Sequence, residues 1–402
     1  MSASRAGRLG AARQRPADLE SPALAHLVTL DPDGSPQVSI VWVGLDGDEI
    51  VTGHLPGHRK GIESGVAGHY HAVVEVIYPA KLRRGDEIRV IAPSISRAMV
   101  TEYDHTAIIE RRFADLGLAI SYGAHVDERD AFDSSAAGSR VADLHAAFAD
   151  PGIAAVMTVI GGYNSNELLP SLDWELIRAN PKVFCCYSDI TALQGAILAR
   201  AGLVTYCGPH WSSFGMARHF DQTLQWFTAC LFGDGPVRLE PATTWTDDLW
   251  FLDQDNREVV PTDGWWPLQH GHTTGWLAGG NLATLNLLQG TPYMPSLAGA
   301  VLIVEDDEES QPANFARNLT SLLQLPDAAA IRGLVVGRFQ RASNMTRPLL
   351  EQITARQPRL ADLPILANVD TGHTSPMATL PIGGQIAMSA EPGDPHLVLT
   401  QH

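Results

Sequence analysis

Residues 182–202 read KVFCCYSDITALQGAILARAG, and the way this stretch is read decides the fold. The apolar run 183–187 predicts a buried strand, and the pattern over 190–201 predicts a helix. Only Ser188 and Asp189 separate them. A corner this tight lifts the intervening side chain above the sheet and turns the following backbone N–H groups toward the same spot. A nucleophile gains there, because a helix N-terminus also stabilises developing negative charge. The hydrolase pattern G-x-S-x-G is absent, since its flanking positions hold Cys186 and Ile190. A second reading stands beside the first: serine is a favoured N-cap, and Ser188 then has a purely structural task.

The same alternation extends outward. Strands are predicted at 88–92, 118–122 and 153–160, with helices at 107–116 and 139–148. The stretch GGYNSNELLPSLDWELIRANP, 161–181, is a glycine turn opening into helix. Apolar strands alternating with helices indicate a parallel sheet covered on both faces. Right-handed crossovers put every strand's carboxyl end on one rim, where α/β sites form. Past a helix near 220–232 comes a tryptophan-rich, helix-poor segment, then a second strand–helix series with AVLIVE at 300–305. The expected organisation is a β-rich extension over 1–76, an α/β domain over 77–235, a connector over 236–274 and a smaller mixed α/β domain over 275–402.

Bulk properties narrow the function. At 402 residues the chain exceeds one small core. A hydrophobic content of 45% with 18% charged residues is ordinary for a globular protein. The formal net charge of −17 disfavours nucleic acid and anionic membrane as partners, since both are polyanions. Cys185, Cys186, Cys207 and Cys230 lack zinc-type spacing and read as small buried hydrophobes in a reducing compartment. The first twenty residues hold arginines but no apolar h-region, so no secretory signal is expected, and no apolar stretch is long enough to span a bilayer. A cytoplasmic location follows as the expectation.

Residues 24–53 alternate apolar and polar positions around the turns DPDGS and LDGDE, which predicts three short antiparallel strands. This segment resembles the opening of the flavin- and deazaflavin-binding split-barrel family related to pyridoxamine phosphate oxidase. The resemblance covers about the first sixty residues, and a flavin-linked protein is the alternative it implies.

A serine nucleophile needs a base and a group to orient it. His373, in the loop NVDTGHTSPMATLPIGG just past a strand end, is the best of fifteen histidines, and His210 in CGPHW is its rival. His270 and His272 alternate but lack a third ligand, so no metal site is expected. Glu305 directly follows an apolar strand, where a carboxylate is costly without a partner; Asp306 to Glu309 continue the run as a solvated loop. The strand-end glycines Gly161 and Gly162 leave backbone N–H groups uncovered, which assigns the oxyanion donors to Gly162 and Asp189. No lysine follows and no G-x-G-x-x-G occurs, so a phosphate loop is not supported.

Taken together, GDEIRVIAPS, GGYNSN, VFCCYSDITAL, YCGPH, GWLAGGNLATLNLLQGTPYMP, VLIVEDDEE and GHTSPMATLPIGG resemble the LD-carboxypeptidase superfamily of serine peptidases. GGYNSN and the long tryptophan-rich insertion bring the chain closer to the microcin C immunity branch. The resemblance spans about residues 77–390. It implies a flavodoxin-like first domain, a smaller mixed second domain, and a homodimer. It maps the nucleophile to Ser188, the acid to Glu305 and the base to His373, with no metal or organic cofactor. The implied substrates are a muropeptide or an aminoacyl-nucleotide such as microcin C, cut at a C-terminal amide. Tyr163, Asn164, Trp211 and Asn281 are the expected substrate-binding residues. Trp211, Trp245, Trp250, Trp265 and Trp266 either form a stacking platform for a nucleobase or pack the core. Asn281 either hydrogen-bonds substrate or braces its turn. A non-catalytic, ligand-sequestering immunity module is the competing expectation.

Overall fold

A computed structural model of the chain describes the backbone of three early strands, Ala23–Leu30, Pro36–Asp46 and Glu49–Gly53, together with residues 75–103 and 105–402. The chain separates into two compact units, Met1–His69 and Tyr70–His402. In the first, the three strands pair consecutively and antiparallel, Leu30 opposite Pro36 and Asp46 opposite Glu49, as their alternating pattern predicts. The side chains on which a flavin site would depend lie outside the described residues.

The second unit contains two large sheets and a two-stranded ribbon, Thr244–Trp245 paired with Val260–Pro261. Five parallel strands of the first run in the order Ala119–Tyr122, Glu87–Ile91, Ile153–Thr158, Val183–Cys186, Thr205–Cys207. Numbered along the chain this is 2-1-3-4-5, the flavodoxin-like order. Every residue of Val183–Cys186 is buried, because helices or the second sheet's layer cover both faces, which is why the sequence there is continuously apolar. The helix Thr191–Ala201 is buried on nearly all sides, and Gly202 stops it in a left-handed conformation at φ 69°.

The second sheet has eight strands in the order Trp266–Gln269, Ile365–Val369, Gly333–Gly337, Ala300–Glu305, His272–Asn281, Gln385–Ser389, His396–Gln401, Val237–Leu239. The four strands Ile365–Val369 to His272–Asn281 are parallel and the remainder pair antiparallel. Three pieces cross the boundaries expected from sequence. Val237–Leu239 and Trp266–Gln269, from the connector, form the two edges of the second sheet. Leu380–Ile382, from the C-terminal region, pairs antiparallel with Thr205–Cys207 and extends the first. The first sheet therefore takes an edge strand from the C-terminal region and the second takes both of its edges from the connector, and these parts cannot separate without breaking ladder hydrogen bonds.

One contact sets how the halves meet. The Asn281 N–H donates to Thr191 Oγ1 at 3.0 Å. A Cβ on neighbouring Gly280 would lie 2.6 Å from that same oxygen, so only glycine permits the approach. Asn281 is also the register partner of Glu305. The start of the helix that follows Ser188 is thus pinned beside the strand end that carries Glu305.

Candidate active site

Ser188 sits at the corner with φ 62°, a left-handed conformation rarely taken by a non-glycine residue. Holding it costs on the order of 1–3 kcal/mol, and such strain persists only where surrounding structure enforces it. The carboxylate of Asp189, which is 3% exposed, accepts from the Ser165 N–H at 2.9 Å, and the Asp189 carbonyl accepts from Ser165 Oγ at 2.7 Å. These two bonds lock the corner to the turn Ser165–Ser171. Ser188 caps nothing: neither the short turn Ser188–Ile190 nor the helix Thr191–Ala201 has a side-chain cap.

Its hydroxyl instead meets His373, with Oγ 3.0 Å from Nε2. On the far side of the ring, Nδ1 lies 2.8 Å from Glu305 Oε2. The tautomer that fits has Nδ1–H donating to the carboxylate and Nε2 accepting from the serine. Burial lowers the proton affinity of His373, but the charge and hydrogen bond of Glu305, aided by Asp307 and Asp306, outweigh it and leave the imidazole above its ordinary value. Glu305 is 2% exposed and fits a slot between two glycines. A Cβ on Gly372 would come 2.5 Å from Glu305 Oε2, and one on Gly337 would come 2.7 Å from Glu305 Cβ.

The rival histidine stands behind this line. His210 stacks on Tyr187 with ring centroids 4.1 Å apart, and Tyr187 packs edge-on against His373 at 5.1 Å. Nδ1 of His210 lies 3.2 Å from Thr158 Oγ1. Burial, and secondarily the charge of His373, holds His210 well below the usual imidazole range. It is a neutral packing residue.

The glycine pair lies against the corner. A Cβ on Gly161 would fall 2.9 Å from Ser188 Cβ, and one on Gly162, whose φ is 148°, would fall 2.2 Å from Ser94 Oγ. No hydrogen bond ties the Gly162 or Asp189 N–H to another described residue. Gly162, Asp189, Tyr163, Asn281 and Ser188 line one open cleft of about 290 Å³. Within it Asn281 braces its turn: Oδ1 accepts from the Thr284 N–H at 3.0 Å, and Nδ2 lies 3.4 Å from Asp306 Oδ1. Tyr163 stands on the rim, 73% exposed, its hydroxyl donating to Glu309 Oε1 at 3.1 Å.

Two expected substrate contacts are elsewhere. Asn164 is drawn off the cleft wall by Arg140, a buried guanidinium that needs acceptors and takes Asn164 Oδ1 and O, each at 3.1 Å. Trp211 is fully buried, edge-on to Tyr122 at 6.0 Å, because its ring fills the core under the first sheet. The other tryptophans pack or brace. Trp245 faces Arg338 and Arg341, Trp250 lies against His105, and Trp265 and Trp266 donate their indole N–H to Asp370 and Asp263. None of the five lines the cleft.

Sequence reasoning missed the supports: Thr191, Gly280, Gly337 and Gly372, and the wall residues Asp306 and Ser310. Thr191, Gly280 and Gly372 lie inside the quoted motifs, and for Asp306 and Ser310 the acidic run EDDEE was the available signal, which reads as a solvated loop. Among the described residues no group of three or more His, Cys, Asp or Glu is arranged to hold a metal ion, and no helix is long and apolar enough to cross a membrane.

Comparison with known proteins places these motifs. Residues 88–208 match the LD-carboxypeptidase N-terminal domain and residues 274–388 the LD-carboxypeptidase C-terminal domain. The crystal structure of an MccF-like protein from Bacillus anthracis is 43% identical, with a TM-score of 0.80, covering 81% of this chain and 100% of that one. The microcin C7 self-immunity protein MccF of Escherichia coli is 31% identical over 68% of this chain and 81% of its own length. Its structure with aspartyl sulfamoyl adenosine has a TM-score of 0.73, covering 81% of this chain and 99% of that one. The murein tetrapeptide carboxypeptidase of Pseudomonas aeruginosa is 28% identical over 74% of this chain and 91% of its own length.

Proposed function

The chain belongs to the LD-carboxypeptidase family, and on that premise we propose that it is a serine-type amide hydrolase acting through Ser188, His373 and Glu305. The observation that carries this reading is the unbroken line of hydrogen bonds, 3.0 Å from Ser188 Oγ to His373 Nε2 and 2.8 Å from Nδ1 to Glu305 Oε2. His373 takes the hydroxyl proton as Oγ attacks the scissile carbonyl. The N–H groups of Gly162 and Asp189 receive the oxyanion, and losing one such donor costs about 10²–10³ in rate. Glu305 orients the ring and stabilises its charged form. The imidazolium then protonates the leaving amine, and water, deprotonated by His373, releases the acyl group. The substrate is the C-terminal amide of a muropeptide or of an aminoacyl-nucleotide, and the protein works as a cytoplasmic homodimer without metal or organic cofactor.

His373 must be neutral to act as base. Its proton affinity is raised, so kcat/KM falls as pH drops through a value above the ordinary imidazole pKa of about 6.5. Mass spectrometry after incubation with an L,D-tetrapeptide and with aspartyl sulfamoyl adenosine tests the activity itself. Cleaved product that disappears with Ser188→Ala supports a hydrolase. Intact ligand retained by the protein means a sequestering module instead.

A further inference from the structure

An oxyanion donor is useful only if its peptide is held one way round. Gly161 and Gly162 carry no Cβ to resist rotation, so the peptide plane between them turns easily and takes its direction from its neighbours. The Gly161 carbonyl accepts from the Ile95 N–H at 3.2 Å. In a trans peptide the N–H points opposite to the C=O, so this bond turns the Gly162 N–H away from Ile95, and Gly162 lines the cleft beside Ser188. One residue on, the Tyr163 N–H donates to Ser94 Oγ at 3.2 Å, and Ser94 Oγ donates to Asn164 Oδ1 at 3.1 Å. The glycine turn therefore rests on residues 94 and 95, in the loop that follows the strand Glu87–Ile91. That loop is fixed from behind, where Ser134 Oγ donates to the Ser94 carbonyl at 2.6 Å. Arg140, 3% exposed on the helix Ala137–Ala149, spans both segments. Its Nη1 donates at 3.1 Å to the Pro93 carbonyl on one side and to the Asn164 carbonyl and Oδ1 on the other. Nη2 pairs with Glu167, and Nε finds no acceptor. A buried guanidinium is costly unless its donors are met, and here meeting them draws 93–95 and 161–167 together. Arg140 is not part of the cleft lining.

We propose that Arg140 is a positioning residue for the oxyanion site: by holding the Ser94 loop against the glycine turn, it keeps the Gly161–Gly162 peptide with its N–H toward the cleft. The inference rests on the amide-hydrolase reading and adds to it a residue that never touches substrate. Without the guanidinium, Pro93 O and Asn164 O lose the donor they share, the Ile95 bond slackens, and the glycine peptide is free to turn over. Its carbonyl then faces the developing negative charge, and only the Asp189 N–H remains as a donor. The Ser188–His373–Glu305 line, built from other segments, stays as it was.

The test labels the full chain with an alkyl fluorophosphonate, which reports on the oxyanion site without requiring the right peptide. Ser188 Oγ attacks phosphorus, the P–F bond breaks, fluoride leaves, the Oγ proton passes to His373, and the phosphonyl oxygen occupies the oxyanion position. Arg140→Ala is expected to lower the limiting rate of labelling about 10²-fold, the effect of a misplacement of about 1 Å. Ser94→Ala, a milder change that removes the acceptor of the Tyr163 N–H, is expected to lower it about tenfold, the scale of one hydrogen bond. In both variants the reagent concentration giving half the limiting rate stays near that of the parent. The acidic limb of the pH profile also stays in place, because the charge of Glu305 on His373 is untouched. A general loosening of the fold moves that limb together with the rate. Limiting rates within about twofold of the parent in both variants, or a limb that shifts with them, overturn the proposal. Should Arg140→Ala fail to fold, Ser94→Ala decides by the same two readouts. A parent chain that is not labelled at Ser188 fails the hydrolase reading and the proposal together, whereas a labelled parent with unaffected variants fails the proposal alone.

Discussion

The two loops that carry Ser188 and His373 are built in different ways. Ser188 is held locally. A strand and a helix with four residues between them, two hydrogen bonds from Ser165 and a left-handed backbone leave its hydroxyl one direction to point. His373 sits in a long loop between Ile365–Val369 and Leu380–Ile382 and is held from afar. The buried Asp370 at its base accepts from Arg338 Nη2 at 2.6 Å, Trp265 Nε1 at 2.8 Å and the Ala242 N–H at 2.9 Å. Farther along, Thr246 and Ser375 exchange backbone hydrogen bonds of 2.8 Å in each direction. Every one of those partners except Arg338 belongs to the stretch between the two family-matched domains, 209–273. A tight corner positions its residue by covalent geometry, whereas a wide loop needs a clamp, and the tryptophan-rich connector is that clamp.

Substitutions on the two sides separate these modes of support. Ser188→Ala, on the local side, is expected to lower kcat by 10⁴ or more, roughly the scale seen when a triad nucleophile is lost. Its thermal midpoint stays near that of the parent, because alanine carries the same backbone strain. On the clamped side, Asp370→Ala leaves the Arg338 guanidinium, 2% exposed, without its carboxylate. Breaking such a buried pair costs about 3–5 kcal/mol, so urea unfolding shows a large loss of stability along with reduced turnover. Unchanged stability there would erase the contrast between the loops.

Gly372→Ala sharpens the contrast at the midpoint of the relay. Its Cβ would intrude to 2.5 Å from Glu305 Oε2 and displace the carboxylate from Nδ1. A misplacement of about 1 Å is worth about 10²-fold, so kcat falls by that order and the acidic limb of the pH profile shifts. The smallest effect is expected for Trp265→Phe, which keeps the packing but removes one hydrogen bond to Asp370. It should cost about 1 kcal/mol in unfolding free energy and a modest fraction of kcat.

Legibility followed the range of the forces involved. The first sheet was readable because short, largely apolar strands such as Val183–Cys186 alternate with segments of helical periodicity, both local signals. The corner at Ser188 was readable for the same reason, as was the place of Glu305 at the end of a buried strand. Three parts were not readable. Trp211 and Asn164 sit in motifs next to functional residues, yet core packing and the needs of Arg140 claim them. The exchanged strands Leu380–Ile382 and Val237–Leu239 are three residues each, too short to announce which sheet they join. The wall formed by Asp306 and Ser310 looks solvated in one dimension and is buried in three.

The amino-acid order by itself determined the alternation of strand and helix, the corner that lifts a serine and the chemical types of the three relay residues, because each depends on neighbours within a few positions. Only the tertiary structure decided that residues 188, 305 and 373 meet. That outcome rests on the Thr191–Asn281 contact, the Asn281–Glu305 register and the Asp370 clamp, all pairings between distant segments. No local pattern encodes such pairings, since their energy exists only once both partners are buried together.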